Sequence, residues 1–253
     1  MNQLLELSRR GLRRLLRSAG LAHVSPGHDW ADPRTFIPFE ETLAGAAAAG
    51  LSVADFVDRT HNRPGATREH VSRLVEHGVF RDPIERVCEI GPGSGRYLEK
   101  VIEICRSSHY EIYETAQDWA MWLEKEYGVK WQPTGDGLLA ATPSSSIDLV
   151  HAHKVFSTIP WLPSCRYLLE MARVVRPRGK VVFDVMTERC LDVATVRMWL
   201  ERRIAWGSYP AVFPRQLVID ILGAQGLSLS ATFLVPMEPG STECMIFSRS
   251  PPA

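Results

Sequence analysis

The sequence predicts an α/β protein, a doubly wound and mostly parallel sheet with helices on both faces and a helical cap in front of it. Three observations carry this prediction. Apolar runs of strand length recur at Val87–Ile90, His109–Tyr113, Val129–Gln132, Ile147–His153 and Val181–Val185, separated by helical or turn-rich sequence. Strands that alternate with helices build a parallel sheet covered on both sides. The run at Val87–Ile90 passes through Gly91-Pro92-Gly93-Ser94-Gly95 directly into a helical pattern of Tyr97, Leu98, Val101 and Ile102. By contrast, the chain before residue 81 shows helical periodicity without a strand run, which divides it into a front end, 1–80, and a sheet domain, 81–253.

The glycine turn is the organising element. Glycines at 91, 93 and 95 allow positive φ and let a ligand lie against bare main chain. The helix behind them offers unpaired amides and a partial positive charge. A dinucleotide-binding turn would read G-x-G-x-x-G, but here the third glycine comes one place early and Arg96 fills the last position. Glu89 lies two residues before the first glycine. A carboxylate there repels a pyrophosphate and welcomes an ammonium group. The pattern Glu-x-Gly-x-Gly-x-Gly therefore suits a ligand carrying both an amine and a carboxylate.

That pattern closely resembles the first motif of the class I S-adenosylmethionine-dependent methyltransferases, and later motifs follow in the family's order. Glu114 ends the second strand about 20 residues after the glycines, where an acid binds ribose hydroxyls. Asp136, in Gly135-Asp136-Gly137 after the third strand, matches the acid that accepts a hydrogen bond from the adenine amino group; read alone, it is a turn residue. Ile147–His153 resembles the fourth strand, and Tyr167 to Lys180 the helix, turn and entry to the fifth. The family normally has two glycines after the proline of that turn, and Arg178 replaces the first. The resemblance covers roughly Arg81 to the C-terminus. It implies a seven-stranded sheet whose last two strands, Leu227–Val235 and Cys244–Ser248, form an antiparallel hairpin at one edge. It also implies S-adenosylmethionine as cofactor, held by Glu89, Gly91, Gly93, Gly95, Glu114 and Asp136.

Composition narrows the partners. Lysine and arginine total 29 and aspartate and glutamate 29, so no global charge points to nucleic acid. The 5 cysteines, at 88, 105, 165, 190 and 244, show neither paired nor metal-type spacing, which points to a reducing, cytoplasmic setting without a structural metal. No apolar run reaches the length of a membrane span, and arginines interrupt the N-terminal leucines where a secretory signal would be continuous.

Those leucines (4, 5, 12, 15 and 16) fall on one helical side, with Arg9, Arg10, Arg13, Arg14 and Arg17 on the other; five arginines against Glu6 give +4. Residues 1–20 therefore read either as a helix for an anionic membrane surface or as one packed on the domain or a partner. The cap follows, with helices at Glu40–Ala49, from Ser52 as N-cap, and at Thr67–His77. His61, His70 and His77 in this region read as solvent-facing. On the next helix Trp119, Trp122 and Leu123 read as packing against the sheet.

Methyl transfer needs an aligned lone pair and exclusion of water more than a metal. A hydroxyl acceptor also needs a base, and His151 and His153 alternate onto one side at the end of strand four, with His153 the first candidate. The implied function is methyl transfer from S-adenosylmethionine to a hydroxyl or amine of a small-molecule, glycan or lipid-linked acceptor. The alternatives are another transferase using the same cofactor, or a binding module without turnover. The sequence names neither the acceptor nor an oligomeric state.

Overall fold

The computed structural model describes residues 37–135, 137–202 and 209–251. Three cap helices come first: α1 (Phe39–Ala49), α2 (Val53–His61) and α3 (Ala66–Glu76). The alternating part follows as β1 (Arg86–Ile90), α4 (Arg96–Ile104), β2 (His109–Tyr113), α5 (Gln117–Tyr127) and β3 (Lys130–Trp131). Next come β4 (Ile147–Ala152), α6 (Trp161–Val174), β5 (Val175–Thr187) and α7 (Val193–Glu201). The chain closes with β6 (Val212–Phe213), α8 (Arg215–Ala224), β7 (Leu227–Pro236) and β8 (Ser241–Arg249). The basic segment 1–20 and Asp136 lie outside the described residues, as do residues 203–208. Among the described residues no helix is long and apolar enough to cross a membrane.

Seven strands run in the order β3-β2-β1-β4-β5-β8-β7, and β6 adds two residues alongside the end of β5. Pairing is parallel from β3 through to β5 and antiparallel across β5, β8 and β7, so the expected sheet and terminal hairpin form. The chain winds outward from β1 to β3 and then returns to place β4 on the other side of β1. This reversal opens a crevice at the carboxyl ends of β1 and β4, where ligands bind in open α/β sheets.

Side-chain alternation sorts the core into two layers. Cys88, Ile90, Val150, Ala152, Val181 and Phe183 face Leu168 and Met171 of α6 and Val218 and Leu222 of α8. Val87, Leu149, Val182 and Ile246 face Leu74 of α3, Leu98 and Val101 of α4 and Leu123 of α5. A smaller cluster joins the cap to the sheet domain through Ala46, Val53 and Val57 around Trp119 of α5. Trp119 also donates its indole N–H to the Ile37 carbonyl at 3.0 Å. Trp119 thus anchors the cap, while Leu123, one turn on, meets the sheet.

Local signals explain the boundaries. Ser52 caps α2 by accepting the Asp55 amide at 3.2 Å, and Gly50 and Gly128 end α1 and α5 in the left-handed conformation. β5 starts six residues before the expected Val181, because Val175 already pairs with Ile147 before the chain bulges and resumes register at Lys180 opposite Leu149. In that bulge Arg178 takes φ 67°, a conformation that costs a non-glycine residue about 1–2 kcal/mol. Gly179 is the position with no alternative. A Cβ there would lie 2.9 Å from the Arg176 carbonyl oxygen and 3.0 Å from that of Asp148.

Candidate functional site

The glycine turn occupies the mouth of the β1/β4 crevice, and close approach demands two of its glycines. A Cβ on Gly91 would sit 2.7 Å from Val155 of the loop after β4, and one on Gly95 would sit 2.3 Å from Leu123. Gly93 has φ 53° and nothing within 4 Å of its would-be Cβ, so its positive φ rather than crowding favours glycine there. Glu114 reaches this turn from the end of β2. Its carboxylate accepts the Gly93 amide at 2.7 Å and the Ala116 amide at 2.8 Å. Burial raises its pKa, and these amides oppose the rise.

Glu89 lies inside the sheet layer below the turn, level with His151 on β4 and Ile112 on β2. The Tyr110 hydroxyl donates to Glu89 Oε2 at 2.6 Å and lies 2.9 Å from His151 Nε2. One hydroxyl proton serves only one of these partners. With that proton on Glu89, His151 carries its own on Nε2, and its buried Nδ1 is left without a partner. Burial pushes the Glu89 carboxyl up to about 8, against the Tyr110 hydrogen bond and with a smaller push from Glu114. Burial likewise holds His151 well below its ordinary value, with His153 adding to the effect.

His153 follows β4 and lies beneath the first turn of α4. Its ring stacks on Tyr97 with centroids 4.3 Å apart and meets the edge of His70 at 4.8 Å. His153 Nδ1 is 3.6 Å from Asp184 Oδ1, beyond an ordinary hydrogen bond, and neither ring nitrogen has a partner. Burial lowers its pKa, and Asp184 opposes this. Asp184, near the end of β5, accepts the Lys154 amide at 2.8 Å and the Thr242 hydroxyl at 2.7 Å, with Lys154 Nζ at 3.1 Å. Lys154 itself is left-handed, at φ 61°.

Glu89, the glycine turn and Glu114 thus come together, and His151 and His153 lie side by side with ring centroids 5.3 Å apart. Asp136 is outside the described residues. The expected exposure of His70 is overturned: it is buried, and its Nδ1 lies 3.0 Å from the Tyr97 hydroxyl. Thr67, His70, Val71 and Leu74 are the buried residues of α3, spaced i, i+3, i+4, i+7. Periodicity therefore placed His70 on the inner stripe, and residue type misdirected the reading. His61 and His77 are exposed as expected. The sequence also assigned no site role to Asp58, Arg96, Tyr97 or Tyr110, whose side-chain hydrogen bonds and ion pairs join different elements. Among the described residues no group of three or more His, Cys, Asp or Glu side chains is arranged to hold a metal ion.

The acidic side chains of Glu114 at the turn and Glu89 beneath it suit a ligand with ribose hydroxyls and an ammonium group better than a pyrophosphate. Among curated proteins none matches the chain in sequence. Solved structures share its fold at low identity. Magnesium protoporphyrin IX methyltransferase from Synechocystis PCC 6803, with S-adenosylhomocysteine bound, is 12% identical with a TM-score of 0.57, covering 96% of this chain and 100% of that one. N-methyltransferase NodS from Bradyrhizobium japonicum WM9, in complex with the same product, is 17% identical with a TM-score of 0.55, covering 86% and 99%. An O-methyltransferase family protein from Burkholderia thailandensis is 16% identical with a TM-score of 0.58, covering 86% and 65%. A sequence profile of the methyltransferase domain matches residues 59–228. The chain belongs to that family and is a class I S-adenosylmethionine-dependent methyltransferase.

Proposed function

We propose that the protein methylates an oxygen or nitrogen of a small-molecule acceptor. The observation that carries this is the cap: α2 and α3 pack on the first turn of α4, directly behind the glycine turn, through Asp58–Arg96 and His70–Tyr97, and so wall that side of the site. The balanced charge adds no reason to expect a nucleic acid. The cofactor supplies an electrophilic methyl group on a sulfonium centre. Glu114 orients the ribose, Glu89 receives the ammonium end, and the cap excludes water from the reacting atoms. Transfer of labelled methyl from S-adenosylmethionine into size-fractionated cell extract tests the acceptor class. Label confined to macromolecules would overturn the small-molecule reading, and cofactor binding without any transfer would favour a binding module.

Glu114→Ala is expected to weaken cofactor binding by about 2–3 kcal/mol, the scale of hydrogen bonds to a charged group. Calorimetric titration with S-adenosylhomocysteine measures this, and unchanged affinity in the folded variant would make Glu114 a brace for the turn alone.

For His153 the geometry favours positioning over proton removal. The ring is enclosed by Tyr97, His70 and Asp184, so it fixes the end of β4 against α4. His153→Ala should then lower turnover modestly and leave the shape of the pH–rate profile unchanged. The base reading returns if turnover falls about 10²–10⁴-fold at unchanged cofactor affinity and the acid limb of the profile disappears.

A further inference from the structure

We propose that Arg96 and Asp58 form a latch that couples the helical cap to the glycine turn, making both of them positioning residues for the cofactor. Helix α3 starts behind Gly65, a left-handed residue with no side chain to cap the first amides. Asp58 of α2 supplies the missing acceptor. Its carboxylate takes the Thr67 amide at 2.8 Å and the Thr67 hydroxyl at 2.7 Å. The same carboxylate lies 3.3 Å from Arg96 Nη1. Arg96 is the residue immediately after Gly95, so one buried acid ties cap helices α2 and α3 to the end of the turn.

The next residue is gripped as well. The Tyr97 hydroxyl pairs with His70, one turn along α3 from Thr67. One turn further on α4, Lys100 pairs with Asp55 of α2 at 3.0 Å. Arg68 of α3 reaches Glu103 at 2.8 Å near the end of α4. The cap-facing side of α4 is therefore zipped to the cap along its length, and of these four pairs Arg96–Asp58 lies next to the turn. That pair is also shielded, at 15% and 2% side-chain exposure, whereas Arg68 and Glu103 stand at 57% and 43%. A shielded pair keeps its strength where an exposed one is screened. If ordering the turn around the cofactor and seating the cap share this pair, each favours the other, as linkage requires.

The test uses the full chain and S-adenosylhomocysteine as the probe. Arg96→Ala is expected to weaken calorimetric binding roughly tenfold, within the usual range of coupling between two sites. Arg96→Lys should recover most of that loss. Asp58→Asn should match Arg96→Ala, and the double variant should bind no worse than either single one. Arg68→Ala, which breaks the exposed pair, should bind as wild type. In wild type, adding the probe should slow amide exchange over residues 66–76, and Arg96→Ala should abolish this slowing while remaining folded. The proposal falls if Arg96→Ala binds within twofold of wild type or keeps the full exchange response. It also falls if Arg96→Ala weakens binding while Asp58→Asn does not, since Arg96 would then act on the cofactor directly. Should Asp58→Asn fail to fold, the alanine and lysine variants of Arg96 still decide the question.

Discussion

Replacing Glu89 by glutamine is expected to stabilise the cofactor-free protein at pH 8 and to weaken its hold on S-adenosylmethionine. Glu89 is buried, and its carboxyl is pushed from an ordinary 4.5 up to about 8. Below pH 4.5 the group is protonated in folded and unfolded chains alike, and it contributes no slope. Between 4.5 and 8 the unfolded chain ionises while the folded one keeps its proton, so stability falls as pH rises through this window. The loss is about 1.4 kcal/mol per pH unit for each proton, or a few kcal/mol in all. Glutamine keeps an acceptor for the Tyr110 hydroxyl and has no ionisation to lose. An incoming ammonium group reverses the balance by favouring the carboxylate, an interaction worth about 1.5–3 kcal/mol that glutamine forfeits. Thermal melts at pH 5 and pH 8 and calorimetric titration measure both arms. A glutamine variant less stable than wild type at pH 8, or one that binds the cofactor equally well, would show that Glu89 is ionised before the ligand arrives.

Asp184→Ala should produce the largest loss of stability. Burial by itself would raise this carboxyl, but the Lys154 charge and the histidines override it and hold it well below the usual range. A depressed native value means that the stabilisation is present above the ordinary carboxylate pKa and is lost as pH falls through the folded value. Removing the carboxylate orphans the Lys154 amide and leaves the Lys154 ammonium, held by the Thr242 hydroxyl at 2.6 Å, without its countercharge. Breaking a buried pair costs about 3–5 kcal/mol. Lys154 is 17% exposed and can turn partly to water, which places the expected cost near the lower end. For a chain of this size that is a fall in melting temperature of roughly 10 °C. Activity should fall further than stability alone explains, because Val155, the residue after Lys154, packs against Gly91 of the turn. Asp184→Asn keeps an acceptor for the Lys154 amide and should lie between the two. A melt of Asp184→Ala within a degree of wild type would mean that the network is exposed to solvent.

The sequence by itself determined the elements and their order. Spacing of apolar residues marked β1, β2 and β4 and most helices within a few residues, because period and turn chemistry are local. The glycines with Glu89 before them and Glu114 after them marked the crevice in which we propose that the cofactor binds, since the turn demands residues of one type at fixed places. Only the tertiary structure decided which side chains meet. Trp119 turned from the sheet to the cap, and His70 from solvent to an edge-on contact with the stacked pair of Tyr97 and His153. Arg178 showed that the bulge before Lys180 tolerates a side chain where the family has glycine, while Gly179 does not. Asp58, Thr67 and Arg96 look like ordinary surface residues of separate helices until folding brings one acid between two partners. Such contacts depend on the relative placement of elements far apart in the chain, and no local periodicity encodes that distance.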